Sequence, residues 1–110
     1  MTLNEYQELA ARTINPELTS YQKEFHALTG LVAEVGELHG IYQKGLQGHK
    51  FNEDHLLKEC GDILWMLAEL LTAGGYTLDD VARMNIDKLR ARYPDGFDTE
   101  HSLHRGADDI

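Results

Sequence analysis

A chain of 110 residues has room for one domain, and at that size folding buries only about 60–70% of the surface the unfolded chain exposes, so a partner chain would help. Nineteen acidic residues against ten basic ones give a net charge of −9 and a pI of about 4.9, which argues against a nucleic-acid polymer or an anionic membrane as the main partner. The single cysteine, Cys60, excludes an intrachain disulfide, and a polar N-terminus without a long apolar run gives no sign of a signal peptide or membrane span, which makes a cytoplasmic location the default.

Thr2-x-x-Glu5 is a capping box, and Leu3, Tyr6, Leu9, Ala10 and Ile14 follow helical spacing, so a first helix is expected over 3–14, stopped by Asn15-Pro16. Thr19-x-x-Gln22 is a second capping box and opens a helix over 20–45. Tyr21, Phe25, Leu28, Val32, Val35, Leu38 and Tyr42 alternate in steps of three and four and read as its core stripe. Gly36 and Gly40, four apart inside it, suggest a close helix contact there. Asn52 caps a third helix over 53–73, with Glu53 and Asp54 favourable in its first turn and Gly74-Gly75 ending it. From Ile63 to Leu71 this helix is apolar on nearly every side, and Cys60 reads as a small core residue. A helix apolar all round must be buried all round. Three other short helices cannot easily do that, so a chain–chain interface is expected there. Thr77-x-x-Asp80 opens a fourth helix over 78–92, with Leu78, Ala82, Ile86 and Leu89 inward. Tyr93 to Phe97 reads as a turn and the tail 98–110 as irregular. The expectation is an all-α chain forming a single domain over 1–110.

Two acidic pairs stand out, Glu34-x-x-Glu37 and Glu59-x-x-Asp62. An i,i+3 spacing places both side chains on one helix face, with Cβ atoms roughly 5–6 Å apart. Two antiparallel helices could bring all four carboxylates to one point, where they repel unless a cation lies between them. On a helical wheel Ala27, Gly30 and Ile41 share the side of Glu34 and Glu37, while Met66 and Ala73 accompany Glu59 and Asp62, with no lysine or arginine among them. Surface acids are common on helices, but acids among small and apolar residues should be partly buried, and buried carboxylates must be paired, protonated or metal-bound. Four carboxylates suit a hard cation, Mg²⁺ or Mn²⁺. A ferritin-like di-iron site needs Glu-x-x-His, which is absent, and zinc prefers His and Cys. The histidines at 26, 39, 49, 55, 101 and 104 are scattered and read as surface or loop residues.

Asn85, Lys88 and Arg92 form one stripe beside the apolar face of the fourth helix. Alone they are an ordinary solvated flank; beside an acidic metal site they suit phosphate oxygens, as does Lys44 beyond Glu37. Trp65, three residues after Asp62, reads as core or interface, with a possible second role as an aromatic face for a nucleobase.

The double acidic motif resembles the signature of the all-α nucleoside triphosphate pyrophosphohydrolases, the MazG-like group. GLVAEVGELHG is similar to that family's second helix and KECGDILWMLAELL to its third, while NIDKLRARYPDGF resembles the closing segment of a bacterial and phage subgroup. Together these cover residues from about 28 to 97. The resemblance implies a helical bundle completed by a second subunit, as a homodimer or a dimer of dimers. It also implies Mg²⁺-dependent hydrolysis of a nucleoside triphosphate to the monophosphate and pyrophosphate. It assigns Glu34, Glu37, Glu59 and Asp62 to the metal, and Lys88, with Asn85, Lys44 and Arg92, to the phosphates. Within the same superfamily a phosphoribosyl-ATP pyrophosphohydrolase or a dUTPase-like enzyme is the alternative; outside it, a non-catalytic helical nucleotide-sensing or dimerisation module.

Overall fold

A computed structural model describes residues 1–110 and contains five helices and no strand: α1 (Leu3–Ala11), α2 (Ser20–Leu46), α3 (Glu53–Gly74), α4 (Leu78–Arg92) and α5 (Thr99–Leu103). No helix is long and apolar enough to cross a membrane. The chain divides into two compact units, Met1–Thr77 and Leu78–Ile110.

In the first unit, side chains fix where the helices begin. The Thr2 hydroxyl accepts from the Glu5 amide at 3.1 Å while the Thr2 amide donates back to the Glu5 carboxylate at 3.1 Å. Thr19 and Gln22 do the same for α2 at 3.0 and 3.1 Å. Asn52 caps α3 by accepting from the His55 amide, and Gly75, at φ 81°, ends it in the left-handed region that glycine tolerates.

Helix α1 is shorter than its spacing predicts, stopping at Ala11 rather than Ile14. The Thr13 hydroxyl donates to the Ala10 carbonyl at 2.7 Å, and the Thr13 and Ile14 amides bond three residues back. That tighter winding, followed by Asn15-Pro16, closes the helix early. Gln7, buried in α1, donates to Thr72 Oγ1 (3.0 Å) and the Tyr76 carbonyl (2.9 Å), joining α1 to the end of α3.

A six-residue connection turns α2 back along α3, and the two pack as a hairpin with α1 against α3. Two expectations about α2 need correction. Its buried side is not the large apolar stripe but the small and acidic one: Ala27 and Ile41 are buried, whereas Tyr21, Phe25, Leu28, Val32, Val35 and Tyr42 are exposed, Val32 by 76%. The reason is at Gly30, where a Cβ would meet Met66 Sδ at 2.4 Å. At this layer α2 presents no side chain and Met66 of α3 fills the space, while the bulky stripe lies on the exposed side. Gly36 and Gly40, expected at a close contact, have nothing within 4 Å of an added Cβ. Much of the Ile63–Leu71 run is covered within the chain, with Met66 and Ala68 buried and Trp65 half-buried, so it is α2 rather than α3 that carries the uncovered apolar face. Cys60, expected in the core, is exposed.

Gly30→Ala should therefore destabilise the protein. Overpacking costs about 1–3 kcal/mol and the helix-propensity gain returns roughly 1 kcal/mol. Chemical denaturation should show a net loss; a net gain would mean that Met66 yields freely.

In the second unit, α4 spans its expected range, but Ile86 and Leu89, expected inward, are exposed because the unit has no second long helix to cover them. The turn after it forms as expected, with Gly96 at φ 91° and its amide bonded to the Tyr93 carbonyl. The tail is not wholly irregular: Asp98 accepts from the His101 amide at 3.0 Å and caps α5.

Candidate functional site

Because α2 and α3 run antiparallel, side chains meet in layers along their seam. His26 faces Glu69, Gly30 faces Met66, and Glu34 faces Glu59 and Asp62. The acidic layer is the candidate site. Glu34, Glu59 and Asp62 each offer a carboxylate oxygen, and these oxygens lie within 4.8 Å of one another. Glu59 is 7% exposed, Glu34 and Asp62 are half-buried, and Glu37 is exposed at the rim, where it still reaches Glu59. Three of the four predicted acids thus form the cluster and the fourth borders it.

The charges in this layer cannot all be present at neutral pH without compensation. A hydrogen bond to Glu59 keeps a proton on Glu34 and raises its pKa to about 7, with burial and the charges of Glu37, Asp62 and Glu59 adding to the effect. The same bond lowers the Glu59 carboxyl, and His55 reinforces this through Nε2 at 3.0 Å from Oε1. Even so, Glu34 Oε2 and Glu59 Oε2 are buried with no hydrogen-bond partner. Carboxylate oxygens with two orphaned atoms among them fit a hard divalent cation.

A carboxyl held above its unfolded value contributes stability fully below the unfolded pKa and loses it as pH rises through the folded one. For Glu34 that window runs from about 4.5 to about 7. The melting temperature of the metal-free protein should fall by several degrees between about pH 5 and 8. The opposite contribution of Glu59 is lost only at lower pH, outside this window. Glu34→Gln keeps the donor to Glu59, so it should flatten the slope and melt higher than wild type at alkaline pH. An unchanged slope would show that Glu34 does not carry it.

Two residues at this layer, and one pair further along the seam, escaped sequence reasoning. His55 precedes Glu59 by four, a spacing that predicts the contact once Glu59 is known to be buried. Tyr6 of α1 has its hydroxyl pKa raised by burial and by the charge of Asp62, and no local pattern signals this. His26 binds both carboxylate oxygens of Glu69, at 2.9 and 3.0 Å, although the two lie 43 positions apart in the chain. Glu69 is 2% exposed.

The predicted phosphate and base contacts fare differently. Lys44 is exposed in the last turn of α2, seven residues beyond Glu37, about 10 Å along the helix axis. The Trp65 indole donates to Thr13 Oγ1 at 2.7 Å and so fastens α3 to the turn that follows α1. Asn85, Lys88 and Arg92 lie on α4 in the second unit, where Arg92 Nε and Nη2 each donate to Asp109 at 2.6 Å.

Among curated proteins, the chain is similar to the Gene 37 protein of Mycobacterium phage L5, 34% identical over 68 residues that cover 57% of this chain. The chain spans about 60% of the length of that relative. No solved structure matches it. A family model matches residues 22–97, a span that takes in both acidic helices, α4 and the turn after it. The chain therefore belongs to the family which that model describes, the MazG nucleotide pyrophosphohydrolase domain.

Proposed function

We propose that this chain is a Mg²⁺-dependent nucleoside triphosphate pyrophosphohydrolase, cutting an NTP or dNTP to the monophosphate and pyrophosphate, and that it works as a homo-oligomer. The observation that carries this reading is the pair of orphaned oxygens, Glu34 Oε2 and Glu59 Oε2, inside the acidic layer. A buried acceptor without a partner is destabilising by about 1–3 kcal/mol, more when charged. A cation held by Glu34, Glu59 and Asp62 removes that penalty, and Mn²⁺ is the natural substitute for Mg²⁺. When bound, such an ion neutralises phosphate oxygens and makes water more acidic.

The chain's own groups do the rest. Phosphoryl chemistry of this kind needs positioning and charge neutralisation more than covalent catalysis. Water adds to the α-phosphorus as the bond to the bridging oxygen breaks, and pyrophosphate leaves with that oxygen. Glu37, exposed at the rim, takes the proton of the attacking water in this reading. Lys88 offsets phosphate charge, with Asn85, Arg92 and Lys44 assisting.

Product analysis over the common NTPs and dNTPs tests the reaction. One pyrophosphate per monophosphate is expected with Mg²⁺ and none with a chelator. Release that ignores the chelator, or no release from any nucleotide, would overturn the reading. Lys88→Ala should lose roughly ten- to a hundredfold in kcat/KM, the equivalent of about 1.5–3 kcal/mol for a charge-assisted contact, while its affinity for Mg²⁺ alone stays at the wild-type value. Wild-type kcat/KM would remove Lys88 from the phosphate site.

The exposed stripe of α2 supports the oligomer. Tyr21, Leu28, Val35 and Tyr42 recur every seven residues, and Phe25 and Val32 fill the alternate positions. This 3.5-residue seam is the pattern that packs one helix on another. The second copy is the occupant, because it supplies the same seam.

A further inference from the structure

A cavity of about 720 Å³ lies within the second unit, between α4 and the segment 101–110. Apolar residues such as Met84 and Ile110 line part of it; Lys88, Arg92 and Arg105 supply cations, and Asp108 and Asp109 the facing carboxylates. Three cations gathered in a chain of net charge −9 are unusual enough to need a reason. Their common focus is one carboxylate. The Arg92 fork grips Asp109 through two bonds of 2.6 Å, with both side chains nearly buried, at 11% and 14% exposure. Arg92 first, then Arg105 and Lys88 through their charges, hold the Asp109 carboxyl below its usual range. The planar guanidinium fork that holds the Asp109 carboxylate fits phosphate as well as it fits carboxylate.

We propose that Arg92, Lys88 and Arg105 form a phosphate site whose internal occupant is Asp109, so that the segment 105–110 competes with the phosphate chain of the nucleotide. This rests on the reading that the cations of α4 serve phosphates; it adds Arg105 as a phosphate-binding residue and Asp109 as a built-in competitor. A site that is open only a fraction of the time binds more weakly by that fraction.

The test uses inorganic pyrophosphate and needs no turnover. Calorimetry in the presence of a chelator should show Asp109→Asn and Asp109→Ala binding pyrophosphate roughly tenfold more tightly than wild type, the factor for a site open about a tenth of the time. Arg105→Ala should weaken binding in both the wild-type and the Asp109→Asn backgrounds. As a second readout on the unaltered protein, pyrophosphate should shift the amide resonances of residues 105–110 and the Arg92 Nε–H together, with one dissociation constant. Equal affinity for the wild type and both Asp109 variants, with helicity retained, would overturn the proposal, as would resonances of 105–110 that stay fixed while pyrophosphate binds. A protein that hydrolyses no nucleotide yet binds pyrophosphate more tightly as Asp109→Asn would retain this site and lose the proposed reaction. Normal hydrolysis with unchanged pyrophosphate affinity would do the reverse.

Discussion

Asp62→Asn should abolish most of the nucleotide turnover and most of the divalent-cation affinity while leaving the helical hairpin intact. The substitution keeps the shape of the side chain and removes one charge from a layer in which Glu34, Glu59 and Asp62 offer oxygens within 4.8 Å of each other. Residues that merely orient metal ligands already change affinity or activity by about 10–100-fold, so loss of a ligand charge should cost roughly a hundredfold or more. The metal-free protein should respond the other way. With one fewer negative charge beside Glu34, whose pKa the charge of Asp62 helps to raise, the apo variant should melt no lower than wild type. Loss of activity together with retained or raised apo stability separates a functional acid from a structural one. Asp62→Asn with wild-type turnover and cation affinity would return Asp62 to the status of an ordinary surface acid.

Val32→Asp should convert the protein from an oligomer to a monomer. Val32 is the most exposed member of the α2 seam, so in an isolated chain the change would alter little. In a complex that packs seam on seam it buries a charge without a partner, a change worth about 3–5 kcal/mol, or more than a hundredfold in the dissociation constant. Light scattering at micromolar concentration should give wild type at least twice the 12.5 kDa of one chain and the variant near that single-chain value. A wild-type protein that is monomeric under these conditions, or a variant of unchanged mass, would remove the seam as an interface.

How far the sequence carried these conclusions depended on the range of each interaction. Helix starts were legible because a capping box is a contact between residues three apart, as at Thr2 and Thr19. The acidic layer was legible because i,i+3 pairs and a helical wheel place Glu34 and Glu59 on defined faces. The side of α2 that turns inward was not, since both candidate faces carry apolar residues. What decides it is the approach of Met66 to Gly30, 36 positions apart in the chain, a tertiary contact with no local signature. The same limit hid the pairing of His26 with Glu69 and of Arg92 with Asp109. His55 is different: its spacing from Glu59 was readable, and only the burial of Glu59 gave it meaning.

A titration of Mn²⁺ into the nucleotide-free protein measures most directly whether the acidic layer of α2 and α3 is a divalent-cation site. Saturable binding is expected in wild type, with competition by Mg²⁺, a rise in melting temperature as the ion is added, and loss of both in Glu59→Gln. Non-saturable binding in wild type, or binding that survives in Glu59→Gln with unchanged affinity, would contradict it.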